Sequence, residues 1–225
     1  MSIKFPQLSA IALSVVMLLP VGQALAVDNA SEKNKKEEKA SWSVNEPQGQ
    51  FKTASINVRQ GTWMNVDLSP DGKTIVFDLL GDIYTMPVSG GEASPLMTDI
   101  AWQMQPRFSP DGKYIAFTSD QDGGDNLWIM NADGSNAKAV TRETFRLLNS
   151  PAWSPDGNLI VYAGPQVNVV TPLLAVGLDE VPVELPEIEV FRAGERVRFL
   201  PDGTGLVYMR GFGLTQNFWL LDLTT

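Results

Sequence analysis

From residue 51 onward the chain is built of short apolar runs separated by polar turn residues. Four runs stand out: Ile75-Val76-Phe77, Ile115-Ala116-Phe117, Ile160-Val161-Tyr162 and Leu206-Val207-Tyr208. They are β-branched and aromatic and are bounded by turn residues, which predicts buried strands. A second short strand is predicted before each: Met64 to Leu68, Gln105 to Phe108, Ala152-Trp153 and Val197 to Phe199. Between the two members of each pair lies one recurring tetrapeptide. It reads Ser69-Pro70-Asp71-Gly72, Ser109-Pro110-Asp111-Gly112, Ser154-Pro155-Asp156-Gly157 and Leu200-Pro201-Asp202-Gly203. Proline presets φ at the first corner, Asp bonds nearby backbone, and Gly supplies the positive φ, so each copy predicts a hairpin. The four Asp residues therefore read as structural.

The prolines are 40, 45 and 46 residues apart, the period of a blade array. Third strands are predicted at Asp82 to Pro87, Asn126 to Asn131 and Asn217 to Asp222, and fourth strands at Ala93 to Met97 and Ala137 to Thr141. In the third unit, Pro172 to Gly177 and Val181 to Leu185 fill those places across Leu178-Asp179-Glu180. Four antiparallel strands per repeat predict an all-β fold, a β-propeller of about four blades. The units run 59–98, 99–141, 142–186 and 187–225. The fourth unit reaches Thr225 directly after its third strand, and such an edge invites pairing. Either Phe51 to Val58, which alternates apolar and polar residues, adds the missing outer strand, or the chain is a fragment of a six- to eight-bladed propeller. Self-association of two four-bladed chains is a further route to a complete ring.

Ahead of the repeats, Lys4, the apolar stretch Leu8 to Leu19 and Ala24-Leu25-Ala26 form an export-signal pattern, with cleavage expected after Ala26. The apolar stretch is shorter than the about 20 residues a membrane span needs. With no cysteine, export to a bacterial periplasm is the expected address. Residues 27–50 hold a mixed-sign charge run, Glu32 to Lys39, and read as a flexible linker. Net charge is −9, one unit more negative without Lys4, and no basic footprint for nucleic acid is visible.

Candidate chemistry is sparse. The sequence has no His and no Cys, which excludes His-based acid–base catalysis, ordinary zinc sites and thiol nucleophiles. Glu187 and Glu189 read as solvated loop charges, so no catalytic residue, cofactor or metal is expected. Asp120, Asp122 and Asp125 share a Gly-containing loop, leaving calcium open, although that segment is also the hairpin the blade requires. Trp128 and Trp219 match in the third strand and read as inter-blade packing. Trp63 and Trp102 start the first strands, where the chain should approach the central channel. With Asn65, Gln103 and Gln105 they either line a ligand- or partner-binding mouth or pack between blades.

The segments SPDGKTIVFDLLGDIYTMPVSGGE (69–92) and FSPDGKYIAFTSDQDGGDNLWIMNADGS (108–135) resemble the repeat of the TolB-like, WD-repeat-like propeller family. The resemblance covers residues 51–225. Residues 42–93 are most similar to the propeller part of secreted amidohydrolase-associated proteins. The resemblance implies a non-catalytic exported scaffold that binds a protein or peptide. Its alternative is the accessory propeller of an amidohydrolase-type hydrolase whose catalytic part is not in this chain. The His-rich metal-binding barrel of those hydrolases has no counterpart here.

Overall fold

The computed structural model describes residues 43–47, 49, 55, 57–144, 148–164, 170–183, 185, 189–191, 196–210 and 217–224. The expected leader, most of the charged stretch and most of Phe51 to Val58 lie outside them.

The described residues fold into sixteen strands in four antiparallel sheets, one per repeat. The first blade is β1 (Val66–Leu68), β2 (Thr74–Leu79), β3 (Asp82–Pro87) and β4 (Ser94–Met97) in sequential order. The second is β5 (Gln103–Phe108), β6 (Tyr114–Ser119), β7 (Asn126–Asn131) and β8 (Lys138–Ala139). The third is β9 (Asn149–Trp153), β10 (Leu159–Ala163), β11 (Val170–Gly177) and β12 (Pro182–Val183), with β13 (Glu189–Phe191) pairing the start of β11. The fourth holds β14 (Arg198–Phe199), β15 (Gly205–Arg210) and β16 (Asn217–Asp222). First strands of neighbouring blades contact one another, β1 with β5, β5 with β9 and β9 with β14, so they form the inner wall.

Each Pro-Asp-Gly turn is held by its own polar atoms. The Ser69 hydroxyl donates to Asp71 at 2.6 Å, and the Lys73 N–H donates to the same oxygen at 3.1 Å. The Thr74 N–H closes the loop onto the Ser69 hydroxyl at 2.9 Å. Ser109–Asp111 and Ser154–Asp156 repeat the arrangement. Leu200 has no hydroxyl, so Asp202 takes the Thr204 N–H and hydroxyl instead, at 3.0 and 2.7 Å. Gly72 sits at φ 71°, where a Cβ is strained. The turns also line up between blades: Gly112 lies against Pro70, Gly157 against Pro110, and Gly203 against Pro155.

The core is divided into three layers, one between each pair of successive blades. Val76 and Ile83 meet Ile115, Phe117, Trp128 and Met130. Ala116, Leu127, Ile129 and Val140 meet Leu148, Trp153, Ile160, Tyr162 and Val176. Ala152, Val161, Leu173 and Ala175 meet Val197, Leu206 and Tyr208. Alternation along each strand produces this, since successive side chains face opposite neighbours.

Three local expectations change. The backbone at Glu189, expected to be loop, pairs with Pro172 as part of β13. Glu187 lies outside the described residues. The first strand of the first blade starts at Val66 rather than Met64, because Asn65 directs its hydrogen bonds to Asp78. Trp128 is buried beside Phe117, ring centroids 6.4 Å apart, whereas Trp219 is 48% exposed with the Arg210 guanidinium 5.2 Å over its ring.

Candidate partner-binding face

The two tryptophans at the start of the inner strands come to the surface. Trp63 is 96% exposed and Trp102 51% exposed. Trp63 adopts φ 58°, a left-handed conformation that a bulky residue seldom takes. Trp102 lies on Gly81, in the β2–β3 turn. A Cβ at Gly81 would stand 2.7 Å from the indole, and Gly81 has φ 90°, so only glycine fits under the ring. Leu80 beside it and Ile100 two residues before Trp102 are also exposed, at 64% and 52%. Four large apolar side chains are thus exposed in the segment before β1, the β2–β3 turn and the connection to β5.

The polar residues of the predicted mouth are not free. They form the frame beneath the apolar patch. The Asn65 backbone N–H and side-chain amide donate to the two oxygens of Asp78, each at 2.8 Å. The Gln105 N–H donates to the same carboxylate at 2.7 Å, and the Asp78 N–H donates to the Asn65 carbonyl at 3.1 Å. Asp78 is buried and ties the inner strands of two blades together. Gln105 continues the chain: its amide donates to Asn149 at 3.1 Å and its carbonyl accepts the Ser150 N–H at 2.5 Å. Gln105 and Ser150 both have positive φ, 57° and 55°, at matching positions in β5 and β9, where the ladder shifts register. Such bulges re-aim side chains without breaking the sheet. Gln103 is fully buried; its amide donates to Asp99 and its N–H to the Gly81 carbonyl, the latter at 2.8 Å.

Two further residues hold this end. The side-chain carbonyl of Asn45 accepts the N–H groups of Ile100 and Ala101 at 3.1 and 2.8 Å, so the turn at residues 43–46 is fastened to the connection before β5. Asp120 accepts the Trp102 N–H at 2.7 Å. The acidic loop is accounted for similarly. Both Asp122 oxygens accept from the Asn126 amide, at 3.0 and 3.1 Å, and the Asn126 carbonyl takes the Thr141 hydroxyl and Glu143 N–H. Burial and the Asp120 charge push the Asp125 carboxyl above its usual range. Among the described residues no group of three or more metal-ligating side chains comes together.

At the turn end of the blades a cleft of about 370 Å³ lies between two Pro-Asp-Gly turns, lined by Pro110, Asp111, Tyr114, Pro155, Asp156 and Leu178 among others. The Ser109 hydroxyl and the Lys113 amide hold the Asp111 carboxyl down at about 2. Among the described residues no helix is long and apolar enough to cross a membrane.

Sequence alone singled out Trp63, Asn65, Trp102, Gln103 and Gln105; of these the two tryptophans are exposed and Gln103 is buried. It missed Asp78, Asn45 and Asn126. Asp78 stands in an otherwise apolar strand, and a lone carboxylate there was the available signal.

The family model described as the Tricorn protease N-terminal beta propeller domain matches residues 63–219. Among curated proteins, an uncharacterized protein of Agrobacterium fabrum is 30% identical over 105 residues, 45% of this chain and 36% of that protein. Tricorn protease homolog 1 of Streptomyces coelicolor is 30% identical over 91 residues, 40% of this chain and 8% of that protein. The matched parts thus span about a third of the one relative's length and less than a tenth of the other's. Among solved structures, TolB from Acinetobacter baumannii superposes with TM-score 0.57 at 19% identity, over 72% of this chain and 41% of that one. A puromycin hydrolase superposes with TM-score 0.51 at 18% identity, over 72% of this chain and 27% of that one. At these identities the structural likeness speaks for the fold.

Proposed function

The chain belongs to the Tricorn protease N-terminal beta propeller domain family, and on that premise we propose that it is a non-catalytic, exported propeller that binds a protein or peptide at the Trp63–Trp102 end of its first two blades. One observation carries this reading. Trp63, Leu80, Ile100 and Trp102 are exposed apolar side chains on a frame pinned by Asp78, Asn45 and Asp120. Exposed apolar patches rimmed by polar residues mark interaction sites, and tryptophans are frequent anchors there. A frame fixed before binding lowers the ordering cost of association. The lack of His and Cys supports a binding rather than a catalytic role, and the export pattern at residues 1–26 supports a periplasmic address.

A selection of displayed peptides against the chain tests the reading. The selected peptides should lose at least about tenfold in affinity when Trp63 and Trp102 are replaced by Ala together. Unchanged affinity in that variant would move the binding site elsewhere.

A second reading, in which the propeller is the accessory part of a hydrolase, is supported by the protease among the relatives; its amidohydrolase form rests on the resemblance of residues 42–93 alone. The match to the Streptomyces protease homolog spans only 8% of that protein. In this reading the same face would present substrate to, or dock, a catalytic part, and the Trp63/Trp102 variant would lower hydrolysis by the whole enzyme while leaving small-substrate turnover intact.

A further inference from the structure

Trp102 stands where three connections of the first two blades meet, and those connections carry five carboxylates. Gly81, on which the indole lies, is followed directly by Asp82 at the start of β3. The Trp102 N–H donates to Asp120 at 2.7 Å. Asp99 accepts the side-chain amide of Gln103, the residue after Trp102. Asp122 and Asp125 share the β6–β7 connection with Asp120. Among the described residues the side-chain partners of these carboxylates are all neutral. Asp82 accepts the Tyr84 hydroxyl at 3.1 Å, Asp99 the amides of Asn45 and Gln103, and Asp122 the Asn126 amide. The ion pairs of the described residues fall elsewhere, on Asp71, Asp111 and Glu180. Burial and then the Asp99 charge push the Asp82 carboxyl above its usual range, as burial and then the Asp120 charge do for Asp125. Gln103 is a separate sign. It is 0% exposed, its amide is spent on Asp99, and its side-chain carbonyl has no donor among the described residues. A bare buried acceptor beside a carboxylate calls for a donor or a cation.

Resting on the reading of this end as a partner-binding face, we propose that the partner presents a basic segment there, its lysine or arginine side chains lying on Trp102 between Asp82 and Asp99 on one side and the Asp120–Asp125 loop on the other. The argument is charge complementarity. An indole face attracts a cation. Flanking carboxylates without counter-ions steer a basic chain in and reject an acidic one. The apolar stems of such side chains suit the exposed Leu80 and Ile100. A metal ion fits less well, because it needs several oxygens converging on one point. Among the described residues no three metal-ligating side chains do so.

Fluorescence anisotropy tests this with a labelled peptide of arginine, leucine and glycine and its counterpart carrying glutamate for every arginine. The basic peptide should bind at least about tenfold tighter, and lose at least about fivefold in affinity between about 50 and about 300 mM salt. Asp82→Asn with Asp125→Asn removes two charges at this end and should weaken the basic peptide about tenfold. Glu92→Gln with Asp179→Asn removes two charges from exposed residues in the β3–β4 and β11–β12 connections, at the opposite end of the blades, and should change it less than about twofold. The peptide comparison and the salt series use the wild-type chain and decide the matter if a variant does not fold. Equal binding of the two peptides, or equal effects of the two charge variants, would overturn the basic partner. If Trp63→Ala with Trp102→Ala then still weakens both peptides, the face itself stands; if it weakens neither, that reading falls as well.

Discussion

Asp78 is the residue whose removal should disturb the frame most. Its carboxylate is buried and accepts three hydrogen bonds: from the Asn65 N–H, the Asn65 side chain and the Gln105 N–H, all between 2.7 and 2.8 Å. Asp78→Ala deletes every acceptor at once. Two backbone N–H groups and one amide are left facing a small void. An orphaned buried donor costs about 1–3 kcal/mol, and water entering the void recovers part of it, so the net loss should be about 3–5 kcal/mol. Asp78→Asn keeps the shape. Its carbonyl can take two donors, but its amide faces the third, which predicts a smaller loss of about 1–2 kcal/mol. Urea unfolding is the assay. The midpoint should fall in the order wild type, Asn, Ala, with an unchanged slope. The Gln105 amide should also exchange with solvent faster than amides of the third blade. If Asp78→Ala lies within about 0.5 kcal/mol of wild type, the claim that this carboxylate ties the inner strands is wrong.

Two more outcomes follow from the turns and the patch. The carboxyls of Asp71, Asp111 and Asp156 are held below their ordinary value, chiefly by the adjacent serine hydroxyls. Folded values below unfolded ones mean that this stabilisation is fully present above the ordinary value of 3.8 and is lost as pH falls toward about 2, the Asp111 value. Thermal melts through that window should therefore decline less steeply for Asp111→Asn than for wild type. Gly81→Ala should displace the Trp102 indole, because the added Cβ lies 2.7 Å from the ring at φ 90°. A shifted tryptophan emission and a loss of about 1–3 kcal/mol are expected; an unchanged spectrum and midpoint would contradict the packing.

What could be read from the sequence was what depends on near neighbours in the chain. The Pro-Asp-Gly turns close through atoms two to five residues apart, such as Ser69 with Asp71 and Thr74, so their geometry is written locally. The strands after them follow from β-branched runs. The frame of the candidate site is different. Asp78 reaches Gln105 across 27 residues, and Asn45 reaches Ala101 across 56. No local pattern encodes either pairing. The same holds for Asn126, whose amide looks like hairpin chemistry in sequence but links the acidic loop to Thr141 and Glu143. Trp63 and Trp102 were legible because a large aromatic at the start of an inner strand is uncommon enough to notice. That Gln103 lies buried beneath them was not, since the same residue type serves equally in a mouth or under one. β13 escaped notice because its three residues carry no turn signal and pair off the main order of the blade.

The central claim is that a partner binds at the Trp63–Trp102 end of the blades. The most direct measurement places a photo-reactive side chain at Trp102 in one sample and at Asp156, in the turn-end cleft, in another, in cells that express and export the chain. A discrete cross-linked partner from position 102, and none from position 156, is the predicted result. Cross-linking from position 156 alone, or equally from both, would contradict the account.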